Sequence, residues 1–458
     1  MPGHRVCLHL LAVIGVAGAG WAQSAPPATP PAVAASSHSK PAKTAPGPMA
    51  TLKANAQLVV VDVVVTDKRG KPVHGMQAAD FSLKEDNAPQ VIKNFEEHSA
   101  LTLADATKFP AMQKQPPGIF TDFMPAAANG AVNLVLLDSL NTPMGAQAYV
   151  RQQLVAYLKS TPPGSRTAIF GLTTRLLVLQ GFTSDPEVLK SLLSKGFGKG
   201  SSLLNKQPGG GGVGNTVADE FEDAETNADV VSNLRQFDAQ QQAFSLQLRA
   251  EYTLDAMRQI ARYLAIIPGR KNLIWFSGSF PINLLTDTTS ASMYDASTSS
   301  GFEFRETLDL LARSRVAVYP IDALSTSPVF EAANGRNYGS WTGMARLTQE
   351  EDKYLSDTAG EHAAMQAMAL ATGGNAFVNS SGLTASVSKA IDEGSNFYTL
   401  AYTPTNSERD GKFRKIKVQL ARQDVTLSYR QGYYADDPGR IKSPLKFADA
   451  GGHHGHES

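Results

Sequence analysis

The chain has 458 residues, 42% of them apolar, with 42 Lys+Arg balancing 42 Asp+Glu for a formal net charge of zero. That length is enough for two or three domains with substantial cores. The charge balance excludes a global field that would draw in nucleic acid or an anionic membrane surface. Charged residues are only 18% of the chain, and 38 Gly with 26 Pro predict long loops.

The first 22 residues read as a secretory signal. His4 and Arg5 form a short basic region, Leu8 to Gly20 is an apolar run of signal length, and small Gly20 and Ala22 place cleavage after Ala22. The expectation is export, to the periplasm, the cell surface or the medium. Cys7 is the one cysteine and lies before the apolar run, so it is not placed as a lipid-anchor cysteine should be. The mature chain then has no disulfide and depends on its core. No later stretch reaches the length of about 18 apolar residues that spans a membrane. Residues 23–53 (with SAPPATPPAVAASSHSKPAKTAPGP) are too poor in large apolar side chains to fold and read as a tether.

Structure is predicted from residue 54. Gln57–Thr66 is a β-branched strand and Asp67–Gly70 a turn. Lys71–His74, Phe81–Glu85 and Gln90–Phe95 are further extended pieces, with Asp86-Asn87 as a second turn. Residues 54–100 therefore form a small antiparallel β unit, and the Pro- and Ala-rich residues 101–130 a linker.

At Ala131 the pattern changes to strands alternating with helices. Ala131–Leu137 is almost wholly apolar, as a strand buried on both faces must be, and it ends in Asp138. Helix Gly145–Lys159, strand Arg166–Leu172, strand Leu176–Gln180 and a helix from Pro186 through Leu193 follow. Thr173–Arg175 is short enough for a hairpin, which makes the Leu176 strand an antiparallel edge. An insertion, 196–238, carries Gly209–Gly212 and an acidic run. Then come helix Gln240–Ile267, strand Lys271–Phe276, an excursion at 281–300, helix Phe302–Arg313, strand Val316–Ile321 and a second excursion at 323–347. Helix Tyr354–Thr372 is closed by Gly373-Gly374, and short strand Ala376–Val378 and helix Thr384–Glu393 complete residues 131–395. Crossovers long enough for helices imply a doubly wound, mostly parallel α/β sheet. Its ligand edge is the carboxyl end of the strands, where Asp138 stands.

Phe397–Thr403, Phe413–Leu420 and Val425–Tyr429 alternate again. Residues 396–435 are expected to join the amino-terminal strands in one accessory antiparallel β domain assembled from both ends of the chain. Residues 436–458 are a polar tail ending in HHGHES.

The stretches LVLLDSLNT (134–142), RTAIFGLTT (166–174) and KNLIWFSGSFP (271–281) resemble the von Willebrand factor type A fold. LVVVDVVVTDKRGKPVHGMQAADFSLKEDN, FYTLAYTPTN and LSYRQGYYA are similar to segments of the acidobacterial type-A-related proteins, so the resemblance covers nearly the whole mature chain. It implies a Rossmann-like sheet and no catalytic activity. It also implies protein recognition, often through a divalent cation that bridges to an acidic partner residue. The family's metal site takes oxygens from an Asp-x-Ser-x-Ser after the first strand, a Thr from a neighbouring loop and an Asp after the fourth strand. Here Asp138 matches the first Asp and Thr142 the last Ser. Leu140 stands at the middle Ser, Thr253 or Glu251 at the neighbouring Thr, and Ser277-Gly278-Ser279 where the second Asp belongs. With one carboxylate where hard cations want about six oxygens, the resemblance implies a degenerate, weak site for Mg²⁺ or another divalent ion built from Asp138, Asn141, Thr142 and Ser277. The competing reading is that Asp138 and Asn141 cap the helix that begins near Pro143. A protein partner is expected at Asp138, Ser139, Asn141, Thr142, Ser277 and Ser279, together with the 196–238 insertion.

Other patterns carry less. Gly209–Thr216 nearly fits a phosphate-binding loop, but Asn215 replaces the Lys and no apolar strand precedes it. A hydrolase triad lacks a Gly-x-Ser-x-Gly elbow and a Cys nucleophile. His38, His74, His98 and His362 are the histidines outside the signal and the tail, and His362 reads as a packed or solvated helix residue. Glu96-Glu97 and Glu350-Glu351 read as surface charge, and the tail histidines as incidental metal ligands. Tyr398, Tyr402, Tyr429, Tyr433 and Tyr434 are assigned to the β core and its rim. Basic residues without interleaved aromatics argue against single-stranded nucleic acid. The leading expectation is an exported, non-enzymatic recognition or adhesion module. The alternatives are an envelope assembly protein with a type-A scaffold and, more weakly, a hydrolase.

Overall fold

The computed structural model describes residues 58–100, 131–159, 166–195, 203, 228–280, 299–324, 341–379 and 382–435. The expected signal, tether, 101–130 linker, Gly209–Thr216 loop and tail lie outside the described residues, as do most of the 281–300 and 323–347 excursions. The described residues fall within one compact unit, Ala56–Ser458. Among them no helix is long and apolar enough to cross a membrane.

The α/β part is built on β5 (Val132–Asp138), every residue of which is buried. It is the middle strand of a five-stranded sheet with β6 (Thr167–Leu172), β7 (Leu176–Thr183), β8 (Lys271–Ser277) and β9 (Val316–Asp322), in the order β7-β6-β5-β8-β9. All pairings are parallel except β6 with β7, the expected antiparallel edge hairpin. Helices cover both faces, which is why β5 reads as continuous rather than alternating apolar sequence. Leu134 and Leu136 pack with the layer of α3 (Ala228–Ala265), α4 (Ser299–Arg313) and α5 (Trp341–Thr372). Val135 and Leu137 pack with the layer of α1 (Met144–Leu158), α2 (Pro186–Lys195) and α6 (Leu383–Ser395). Asn133, the polar exception in the strand, is satisfied by the Asn272 amide of β8 at 2.9 Å.

From β5 the chain moves to β6 on one side, and later to β8 on the other. The carboxyl end of β5 is therefore the switch point of the sheet, where crossovers leave in opposite directions and a crevice opens.

Two helices begin earlier than expected. α3 starts at Ala228 rather than Gln240, and α5 at Trp341 rather than Tyr354. The early part of α3 exposes Val230, Phe237 and Phe244, so no core-facing apolar stripe marks it. The predicted insertion 196–238 thus loses its last quarter, from Ala228 on, to a helix. The short strand at Ala376–Val378 reduces to a single bridge between Phe377 and Ile321.

The remaining strands form two antiparallel four-stranded sheets. β1 (Val59–Asp67) lies between β10 (Phe397–Tyr402) and β12 (Val425–Ser428), with β4 (Ile92–His98) beyond β10. The second sheet is β13 (Gly432–Tyr434), β11 (Phe413–Leu420), β2 (Phe81–Glu85) and β3 (Ala88–Gln90). Strands from both ends of the chain thus share each sheet, as expected, and enclose Val61, Val63, Leu83, Leu400, Tyr402 and Val418. Tyr402 and Tyr433 both donate to the buried Glu85 carboxylate, at 2.6 and 3.0 Å, so these rings are core anchors rather than a binding rim.

The β strands meet the α/β part through Arg315, just before β9. Its guanidinium grips Asp62 of β1 in a two-pronged pair, Nε–Oδ2 3.1 Å and Nη2–Oδ1 2.6 Å. Gly373 (φ +79°) ends α5 in the left-handed region, and Gly374 lies against β9.

Two outcomes are expected. A Cβ on Gly374 would sit 2.0 Å from the Val318 carbonyl oxygen; Gly374→Ala should cost about 1–3 kcal/mol in urea unfolding, with wild-type stability contradicting this packing. Burial pushes the Asp62 carboxyl up, but the Arg315 guanidinium outweighs it and holds the pKa below the ordinary 3.8. Its stabilisation is then present above that value and lost as pH falls through the folded pKa. Asp62→Asn should lower the urea midpoint at neutral pH and flatten its decline below about pH 4.

Candidate functional site

The carboxylate of Asp138 ends the fully buried strand and cannot reach water, so it must be satisfied internally. Its Oδ1 accepts the Asn141 backbone N–H at 2.9 Å. Its Oδ2 accepts from Asn141 Nδ2 (2.8 Å), Trp275 Nε1 (3.1 Å) and Ser277 Oγ (2.8 Å). The contact with the Asn141 backbone N–H closes the loop after β5. It is not a helix cap: the N-cap of α1 is Pro143, and no side chain caps it. The capping expectation is corrected, because the carboxylate lies too far upstream and spends its lone pairs on the loop and on β8.

Asn141 passes the network to α3. Its Nδ2 also donates to Thr253 Oγ1 at 2.9 Å, and its Oδ1 accepts Arg249 Nε at 2.9 Å. Arg249 Nη2 donates to Ser279 Oγ at 2.5 Å, and Thr253 donates to the Arg249 carbonyl at 2.8 Å. Of the two candidates for the neighbouring hydroxyl, Thr253 occupies the site, while Glu251 is exposed and accepts from Gln247. Asp138, Asn141, Ser277 and Ser279 are therefore brought together. Thr142 instead accepts the Gly278 N–H at 2.9 Å, and Ser139 donates to Gln147 at 3.2 Å.

Arg249 is the residue that the sequence reading missed. It lies one helical turn before Thr253 and so shares its face, and it is only 2% exposed. A single cation on an otherwise Leu- and Ala-rich face was the available signal. Burial lowers the guanidinium below its ordinary 12.5, while Asp138 and Glu361 raise it; a guanidinium remains charged regardless. Burial likewise raises the Asp138 carboxyl, and its donors work against that rise.

These residues do not fit a divalent cation. A hard ion needs about six oxygens with free lone pairs aimed at one point. Here both Asp138 oxygens and Thr142 Oγ1 receive N–H or O–H donors, and a guanidinium holds Asn141 and Ser279. Leu140, at the middle Ser position, is buried in the apolar core. At Gly278 a Cβ would stand 3.0 Å from the Asn141 carbonyl oxygen and 3.2 Å from Pro143 Cδ, so the loop approach itself disfavours a carboxylate there. Among the described residues no group of three or more His, Cys, Asp or Glu is placed to hold a metal. The positive charge at this position is Arg249.

Beside the network lies a pocket with about 260 Å³ of empty volume, part of it continuous with solvent, lined by Leu137, Asp138, Thr142, Val150, Arg151 and Phe276 among others. Asp138, Ser139, Asn141, Thr142 and Ser277 are all buried, and only Ser279 is half-buried. These residues shape the edge from beneath. Among the described residues its exposed positions include Met144 at the start of α1 and Thr174 and Arg175 in the β6–β7 turn. Of the two readings of His362, packed or solvated, the packed one fits: its Nε2 lies 3.1 Å from Asp322 Oδ2 at the end of β9. No Ser or Thr hydroxyl is bonded to it among the described residues.

No family model and no curated protein matches the sequence. Among solved structures, the conserved hypothetical protein BatB from Bacteroides thetaiotaomicron is 9% identical, with 42% of this chain and 66% of that one covered and a TM-score of 0.21. An aerotolerance-related membrane protein from Bacteroides fragilis is also 9% identical, with 58% and 100% covered and a TM-score of 0.28. A von Willebrand factor type A protein from Catenulispora acidiphila is 10% identical, with 67% and 66% covered and a TM-score of 0.20. At these scores the likenesses carry no inference, and the fold assignment rests on the strand order and pairing above.

Asp138→Ala should cost about 3–5 kcal/mol, because it removes part of the counter-charge of Arg249 and leaves the Asn141, Trp275 and Ser277 donors without their acceptor. Arg249→Met should be comparably harmful. The double variant should lose clearly less than the sum in urea titrations; strict additivity would mean that the two charges are not coupled.

Proposed function

We propose that the chain is an exported, non-enzymatic recognition module of type-A-like architecture. It binds a protein partner at the carboxyl edge of its parallel sheet without a bridging divalent ion. The observation that carries this reading is Arg249. A buried guanidinium stands among Asp138, Asn141 and Ser279, where a bridging cation would need open coordination positions. A cation bridge works by leaving one position free for a partner's carboxylate, and a guanidinium whose nitrogens are spent on buried oxygens offers none. Recognition then falls to shape and surface chemistry. The apolar pocket beside Phe276 and Val150 accepts a side chain, and exposed Met144, Thr174 and Arg175 supply the rim. Arg175 and the pocket-lining Arg151 favour a partner segment that pairs an apolar anchor with nearby acidic residues. The switch-point position supports the same edge, because the sheet topology fixes it independently of any ion.

Isothermal titration with Mg²⁺, Mn²⁺ and Ca²⁺ should give no saturable heat on the wild-type chain. A partner captured from envelope extract should be retained in EDTA and lost from the Met144→Glu/Arg175→Glu double variant. Capture that requires a divalent ion, or that survives the edge charges unchanged, would remove this reading.

A further inference from the structure

At the opposite, amino-terminal edge of the parallel sheet, where it meets the β strands, lies a second pocket with about 270 Å³ of empty volume, part of it continuous with solvent. Three guanidinium groups line it: Arg270 just before β8, Arg315 just before β9, and Arg430 just after β12. Asp62 is the one carboxylate in the lining. Asp62 is fully engaged, taking both prongs of Arg315 and the Thr399 hydroxyl at 2.8 Å. The Thr372 hydroxyl is also used: it donates to the Met368 carbonyl and accepts the Val318 N–H.

The other two arginines pack over aromatic rings, Arg270 over Phe397 and Arg430 over Tyr433, and only part of their donor set is used. Arg270 Nη2 donates to Tyr319 Oη (3.0 Å) and the Gly373 carbonyl (2.8 Å), and Arg430 Nη2 donates to the Val60 carbonyl (2.8 Å). Among the described residues the Nε donors of both are buried with no hydrogen-bond partner, although Arg270 is only 3% exposed. Lys271 lies beside the cluster, its pKa pushed down to about 8 by burial and then by Arg315. The lining thus holds two more cations than anions, with two N–H donors unspent. Glu393 and Asp309, outside the lining, offset part of that charge; a water could accept the two donors but would not offset the rest. Buried uncompensated cations are costly, and guanidinium forks match the oxygens of phosphate and sulfate.

We propose that this pocket binds a free tetrahedral oxyanion of the phosphate or sulfate class, which ties the β strands to the amino-terminal edge of the α/β sheet. Arg315, whose side chain is 30% exposed, forms the mouth by which the ion enters. Asp62 keeps Arg315 aligned, and Arg270 and Arg430 supply the receiving donors. The pocket lies at the opposite sheet edge from the proposed partner surface, so either assignment can fail without the other.

The test uses the full chain in a phosphate-free buffer. Isothermal titration with sodium phosphate, and separately with sodium sulfate, should give saturable one-to-one heat with at least one of them. Thermal unfolding should shift upward with that ion relative to chloride at matched ionic strength. Arg430→Gln should weaken the affinity by about ten- to a hundredfold, the loss of one or two charge-assisted hydrogen bonds. If that variant does not fold, Arg430→Lys, which keeps the charge but loses the Nε donor, should still show a clear loss. Superimposable phosphate, sulfate and chloride melting curves with no saturable heat would overturn the proposal. So would wild-type affinity in a folded Arg430 variant.

Discussion

A carboxylate at the end of a strand buried on both faces creates a demand that the rest of the edge answers. Asp138 cannot be solvated, so a backbone N–H, an amide, an indole and a hydroxyl converge on it. Those donors come from its own loop and from β8, and Asn141 extends the same network to α3. The strands next to β5, the long helix behind it and the two loops above are therefore held in one relation by a single buried charge and its matching cation. The loops approach closely enough that a Cβ at position 278 would press on the Asn141 carbonyl oxygen and on Pro143. The same closeness that satisfies Asp138 also disfavours a second carboxylate there.

The two edges of the parallel sheet handle buried charge in opposite ways. At the carboxyl edge the lone pairs and donors are matched, and Arg249 completes a closed set. At the amino edge Arg315 and Asp62 form a matched pair, but Arg270 and Arg430 keep Nε donors that nothing among the described residues takes. A closed network is a rigid floor, suited to presenting a surface. An open one is suited to receiving something small. The difference follows from the count of carboxylates each edge brings to its guanidinium groups.

The β strands are not an appendage joined at one point. β1 pairs with β10 and β12, so the amino-terminal strand is locked between carboxyl-terminal ones. β10 begins directly after the last helix of the α/β part, and Asp62 of β1 holds the residue that starts β9. A partner that engages the carboxyl edge therefore meets an α/β unit braced at its far end.

Much of this was legible in the sequence because it depends on local pattern. The unbroken apolar run of β5, the short Thr173–Arg175 turn and the alternation of Phe413–Leu420 each announce how many faces of a strand are buried, and side-chain period is a local property. The place of the site was legible for the same reason, since a strand ending in Asp before a helix puts that residue at the sheet edge. What occupies the site was not. Arg249 lies more than a hundred residues from Asn141 in the chain, and only the packing of α3 against the sheet decides that its guanidinium, rather than an ion, faces the loop. The early turns of α3 escaped for a related reason, since helix that does not press an apolar face on a core leaves no periodic trace. The sequence by itself determined the layers and the edge, because those follow from burial periodicity. The tertiary structure decided the charge balance at each edge, because that depends on which distant side chains the packing brings within hydrogen-bond reach.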